Sequence, residues 1–128
     1  MKKIITSECI TMNNKFPAII KTVKSSRELK LTLDITQNLS WFQGHFDTIH
    51  ILPGMVLVYW VEEYLRIYYA PNVSFRSVDN LRFSHPIFPN TKIDLTITLV
   101  PDEKLVTFFY SDPTSPALRV LAKGQLRI

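Results

Sequence analysis

The run from Ile49 to Tyr69 constrains this chain more than any other segment. Pro53-Gly54 opens its apolar part and Pro71-Asn72 closes it. The roughly 16 residues between are too long for one strand and suit a helix. Met55, Val56, Leu57, Val58, Tyr59, Trp60 and Val61 make its first turns apolar nearly all round, and the charges Glu62, Glu63 and Arg66 come only later. A helix of that kind must be wrapped by other structure. It is not a membrane span, because Pro53 and those charges keep every apolar run below the ~18 residues a bilayer needs.

The flanking sequence supplies the wrapping. Glu28 to Thr36 alternates, with Leu29, Leu31, Leu33 and Ile35 on one face. That is the pattern of a half-buried antiparallel strand. Lys92 to Val100 repeats it with Ile93, Leu95, Ile97 and Leu99. Phe16–Val23, Phe75–Phe83, Lys104–Tyr110 and Ala117–Ile128 complete the expected strands, the last with Leu118, Val120 and Ala122 on one face. Pro101-Asp102-Glu103 reads as a turn and Asp112 to Pro116 as a loop. Strands, one long buried helix, then a strand meander define an α+β chain in which an antiparallel sheet wraps a central helix. The sheet covers only one side of that helix, so a dimer that continues the sheet is expected.

A length of 128 residues fits one domain spanning 1–128. The single cysteine, Cys9, rules out an internal disulfide and a thiolate metal cluster. His45, His50 and His85 lack metal-ligand spacing, so neither a metal nor another cofactor is expected. The net charge of +4 is scattered, with no basic block that would read as a nucleic-acid tail. A mild positive field favours an acidic partner. The N-terminal apolar patch is too short for a signal-peptide core, and a cytoplasmic location without membrane association is the default.

The chemistry concentrates just before the helix. FQGHF at 42–46 is followed by LPG at 52–54, so Pro-Gly falls eight and nine residues after His45. This pattern, with an apolar helix behind it, resembles the signature of the 3-hydroxyacyl-acyl-carrier-protein dehydratases, which adopt the hotdog fold. LRFSHPIFPNTKIDL is similar to that family's later stretch, and the resemblance runs from about residue 16 to 128. WFQGHF, LPG and Tyr59-Trp60 are closest to the aryl polyene, ApeI-like branch, with Trp41 and Trp60 both in place. The resemblance implies an acyl carrier protein partner with a phosphopantetheine-linked acyl chain. It also implies a site shared between two hotdog subunits, alike or different.

Dehydration of a 3-hydroxyacyl thioester needs a base for the proton beside the carbonyl, an acid for the departing hydroxyl, and donors for the thioester oxygen. His45 is the candidate base. Gly54 opens the helix, where backbone N–H groups are unsatisfied and the dipole is positive. The resemblance implies that the Gly54 amide holds the carbonyl, with Phe46 and Met55 beside the acyl group. It also implies an Asp or Glu fourteen residues after His45, contributed by the partner subunit. That position is Tyr59. Three readings stay open: the Tyr59 phenol is the acid; Glu63, one turn on, serves instead, with Glu62 a weaker substitute; or the acid is absent and a partner subunit is required. Asp47 and His50 stand where the family has prolines, leaving a less rigid, solvated loop.

Three functions follow. One is dehydration of (3R)-3-hydroxyacyl chains on a carrier protein to trans-2-enoyl thioesters, in fatty-acid-like or aryl polyene synthesis. The second is an acyl thioesterase, with Glu63 or Asp47 activating water. The third is a catalytically degraded acyl-binding or scaffolding subunit paired with an active dehydratase. His85, between Ser84 and Pro86, reads as a turn residue, and Arg82 is the only guess for a carrier-docking residue.

Overall fold

The alternating segments become the centre of a six-stranded antiparallel sheet. The structure is a computed structural model and describes residues 14–42 and 51–128. Its elements are β1 (Ala18–Lys24), β2 (Glu28–Ile35), α1 (Gly54–Tyr68), β3 (Ser77–Phe83), β4 (Thr91–Val100), β5 (Leu105–Asp112) and β6 (Arg119–Arg127). The strand order is β1-β2-β4-β5-β6-β3. A short 3-10 turn, Ser40–Phe42, occupies the end of the turn-like stretch after β2. This is the α+β hotdog arrangement, with α1 packed on one face of the sheet.

Register explains the core. Leu29 pairs with Ile97, Leu31 with Leu95 and Leu33 with Ile93. On the next ladder Leu95 pairs with Tyr110, Ile97 with Phe108 and Leu99 with Val106. Side chains alternate across a strand, so this register sends every one of those residues to the same face. There they meet Val56, Leu57, Trp60, Val61, Tyr64 and Leu65 of the helix, all buried. One further link fixes α1 on the sheet: the Tyr110 hydroxyl donates to the Leu57 carbonyl oxygen at 2.7 Å.

The helix and the last strand both depart from the sequence expectation. Met55, grouped there with the core, is 65% exposed. It lies on the outer stripe of α1 with Tyr59, Glu62 and Arg66, at spacings that share one helix face. In β6 the expected face of Leu118, Val120 and Ala122 does not form. Leu118 precedes the strand and is 72% exposed, while Leu121 and Ala122 are both buried. The cause is a β-bulge: Tyr110 pairs with Ala122 but Ser111 pairs with Val120, leaving Leu121 as the extra residue. Its carbonyl oxygen accepts from the amides of Ser84, at 2.8 Å, and His85, at 3.1 Å. The bulge therefore docks the segment that follows β3.

Candidate active site

Pro53 ends an extended segment and Gly54 begins α1, with no side chain capping the helix end. Val56 N–H bonds the Pro53 carbonyl oxygen at 3.1 Å. The amides of Gly54 and Met55 lie in the first turn, where helix geometry supplies no i−4 acceptor. Beside them is a cavity of about 390 Å3. Ile51, Leu52, Met55, Leu57, Phe83 and Ile87 give it an apolar lining, and Ser84 and His85 stand at its side. The Leu52 amide bonds the Ile87 carbonyl oxygen at 2.9 Å, tying the entry to the helix to the segment after β3.

Glycine is needed at the helix start for a steric reason. An added Cβ on Gly54 would come within 2.6 Å of Phe83 Cε2 and Cζ, far inside van der Waals contact. Phe83, 48% exposed, therefore uses the space a side chain would fill and forms one wall of the cavity. The sequence offered a partial signal, because the segment from Leu81 to Leu95 matches a family stretch, but nothing in it pairs Phe83 with Gly54.

The residues considered for the acid fall into different environments. Tyr59 is half-buried. Its ring lies 5.4 Å from that of Phe16 and 6.2 Å, edge-on, from that of Trp41. No hydrogen bond engages its hydroxyl among the described residues. Glu63, in contrast, pairs directly with Arg66 on the same helix. Arg66 is itself held over the Phe75 ring at 5.2 Å. Glu62 is half-buried; desolvation, reinforced by the Glu63 charge, raises its carboxyl above the ordinary value, and Arg66 opposes the shift. His45 and Phe46, together with Asp47 and His50, lie outside the described residues.

Sequence reasoning missed the anchor behind Tyr59. The indole N–H groups of Trp41 and Trp60 both donate to the carbonyl oxygen of Lys15, each at 2.8 Å. The Ser40 amide bonds the Asn14 carbonyl oxygen at 2.8 Å. The irregular segment before β1 is thus tied to α1, and Phe16 packs against Tyr59 and Tyr64. His85 falls in a bend, as its place between Ser84 and Pro86 suggested, and its Nδ1 also lies 3.2 Å from Arg119 Nη2.

An antiparallel sheet packed on one long helix, which opens on uncapped amides over an apolar cavity, places the chain in the hotdog class. Within that class, the chain belongs to the ApeI-like family, described as ApeI dehydratase, whose model matches residues 21–124. Among solved structures it resembles the dehydratase heterocomplex ApeI:P from Xenorhabdus doucetiae, with 28% identity and a TM-score of 0.77 over 87% of this chain and 96% of that one. An uncharacterized protein from Erwinia carotovora subsp. atroseptica is 26% identical with a TM-score of 0.78, covering 88% of this chain and 94% of the other. The 3-hydroxyacyl-(acyl-carrier-protein) dehydratase FabZ of Haemophilus influenzae is 24% identical over 94 residues, 67% of this chain and 64% of that protein. The chain thus spans less than two thirds of the length of those curated relatives. Mouse thioesterase superfamily member 2 shares the fold alone, at 14% identity and a TM-score of 0.61 over 83% of this chain and 77% of that one.

Proposed function

We propose that the chain is a subunit of a dehydratase that removes water from (3R)-3-hydroxyacyl thioesters on an acyl carrier protein, in fatty-acid-like or aryl polyene synthesis. The observation that carries this reading is the apolar cavity at the uncapped start of α1. Seated there, a thioester carbonyl accepts from the Gly54 amide, and the helix dipole stabilises the charge that grows on its oxygen. His45 takes the proton from C2. The C2=C3 double bond forms as the C3 hydroxyl leaves, protonated by an acid, as water.

Of the groups weighed for that acid, Tyr59 is favoured. Its hydroxyl has no hydrogen-bond partner among the described residues, whereas the Glu63 carboxylate is taken up by Arg66. Tyr59 lies on the outer stripe of α1, where it serves a site completed by a second hotdog subunit. The ApeI:P neighbour is a heterocomplex, which supports subunit pairing of this kind.

A second reading is supported by one observation, the absence of a carboxylate at position 59. In it the chain binds acyl groups and supports an active partner subunit. Incubating the purified chain with a (3R)-3-hydroxyacyl carrier protein and following water loss by intact mass separates the two. Dehydration that falls by about 10²–10⁴-fold in His45→Ala supports autonomous catalysis. Loss in Tyr59→Phe with retention in Glu63→Gln names the acid. A folded wild type that is inert alone, yet accelerates a second dehydratase on mixing, establishes the supporting role instead.

A further inference from the structure

The sheet face turned away from α1 carries a cavity of its own. Phe108, Tyr110, Ala122 and Leu126 pack into the core, so alternation along β5 and β6 turns Thr107, Phe109, Lys123 and Gln125 to the opposite face. There they line a cavity of about 470 Å3, together with Asn80, Leu118 and Val120. That volume lies within the roughly 300–1,000 Å3 of small-molecule sites. Two irregularities give the sheet face this relief. β3 is bulged between Asp79 and Arg82, where Asn80 adopts the left-handed conformation at a φ of 53°. Its Nδ2 donates to Gln125 Oε1 at 2.8 Å, which fixes one end of the cavity. Toward the start of β6 the register shifts against β5, and Leu118 projects just before the strand, 72% exposed. Phe109 and Val120, both half-buried, form the floor.

The charge beside this apolar floor is positive and unpaired. Lys123 stands opposite Phe109 on one ladder and opposite Arg82 on the other, and both cations are exposed. Neither forms an ion pair among the described residues. The carboxylate on this part of the face, Asp79, is already bound by Arg127 Nε at 2.6 Å. A second copy of the chain set face to face would bring its own Lys123 and Arg82 against these cations. The residues before Asn14 carry Lys2 and Lys3 against the single acid Glu8. Neither the chain's own N-terminus nor a second copy therefore complements the cavity, and an anion does.

We propose that this cavity binds a small amphiphilic carboxylate, with its apolar chain on Phe109, Val120 and Leu118 and its head group at Lys123. Burial of the chain supplies the attraction, and the cation selects for the charged end. Arg82, across the ladder, reinforces the positive field there. The site lies on the sheet face opposite α1 and shares no lining residue with the cavity at Gly54. The inference therefore stands apart from the dehydratase reading and from its outcome.

The test follows the backbone amide resonances of the isotope-labelled full chain during titration with octanoate, octanamide and acetate. Octanoate should shift Thr107, Phe109, Lys123 and Gln125 and bind about fivefold more tightly than octanamide, which lacks the charge. Acetate, which lacks the chain, should leave those amides unmoved. Lys123→Gln should remove the preference for octanoate, and Leu118→Ser should weaken octanoate and octanamide alike. Lys21→Gln, on the far edge strand, should change neither. Both Lys123 and Leu118 are exposed, and the dispersion of each variant's spectrum checks that it is folded. Shifts confined to residues around Gly54 and Phe83, equal binding of octanoate and octanamide, a preference that survives Lys123→Gln, or no shift with millimolar octanoate would each overturn the site. A glutamate-rich amphipathic peptide is titrated in parallel. If it moves the same amides and octanoate does not, the surface belongs to an acidic protein and the proposal fails.

Discussion

Trp41 and Trp60 donate their indole N–H groups to the same atom, the carbonyl oxygen of Lys15. A carbonyl oxygen has two lone pairs, so both bonds are satisfied together. Trp60 comes from the helix and Trp41 from the short turn ahead of the Gly-His-Phe segment. One backbone atom thus ties together the segment before β1, the helix and the approach to His45.

That shared acceptor predicts non-additive stability. Trp41→Phe removes one hydrogen bond near the surface and should cost about 1 kcal/mol. Trp60→Phe also shrinks a fully buried side chain and should cost about 2–3 kcal/mol. Either indole alone still holds Lys15. The double variant releases the segment, so its loss should exceed the sum of the singles by about 1 kcal/mol in urea denaturation. Strict additivity would show that the two bonds act independently.

Two buried tyrosines should respond oppositely to loss of their hydroxyls. The Tyr110 hydroxyl bonds the Leu57 carbonyl oxygen, while the Tyr64 hydroxyl has no partner among the described residues. Burial pushes both phenols up, so both stay protonated. Tyr110→Phe should destabilise by about 1 kcal/mol, since the helix still satisfies the Leu57 carbonyl. Tyr64→Phe should be neutral or stabilise by up to about 1 kcal/mol, because it removes a desolvated hydroxyl that gains nothing. A destabilisation at Tyr64 equal to that at Tyr110 would mean its hydroxyl is bonded in solution.

At the helix start, Gly54→Ala should separate folding from function. The new Cβ meets the end of the half-exposed Phe83 side chain, which can swing toward solvent. Alanine also favours the helix by up to about 1 kcal/mol. The unfolding midpoint should therefore change little, while the displaced ring and the added methyl obstruct the cavity and lower turnover at least tenfold. Removing the ring as well, in Gly54→Ala with Phe83→Ala, should recover part of the loss. Full activity in the single variant would place the thioester elsewhere.

Glu62 sets a pH dependence whose sign is fixed by its surroundings. Desolvation raises its carboxyl in the folded chain, so the native state holds that proton at pH values where the unfolded chain has released it. Stability then falls as pH rises from the unfolded value of about 4.5 through the folded one. Glu62→Gln removes that fall. The variant should gain on wild type between pH 4 and 7, with the difference largest at the upper end, as read from urea midpoints across the range. A gain that shrinks with rising pH would mean that Arg66 outweighs burial.

The parts of this fold that were legible in sequence are those written in local patterns. Period-two alternation located β2 and β4 to within a residue or two, and the span between two prolines located α1. The misplacement of Leu118 has a different origin. A bulge breaks the alternation at Leu121, and whether one residue is skipped depends on the neighbouring strand. Met55 reads as core because its neighbours are apolar, yet the helix has an outer stripe that the sheet does not reach. The Lys15 carbonyl was invisible because every residue has one, and the pairing of His85 with Arg119 spans 34 residues with no shared motif. Pro53-Gly54 located the helix start, whereas the cavity beside it and Phe83, which walls it, came only from the packing.

The bulge at Leu121 also bears on how such a sheet changes over evolutionary time. Ser111 pairs with Val120 and Asp112 with Arg119 beyond the bulge, so losing position 121 would make β6 regular against β5 and leave Arg119 on the face it shares with Asp112. It would also withdraw the oxygen that receives the amides of Ser84 and His85. A deletion of one codon would therefore release the segment that follows β3 while leaving the rest of β6 in register, an edit that no single substitution reproduces.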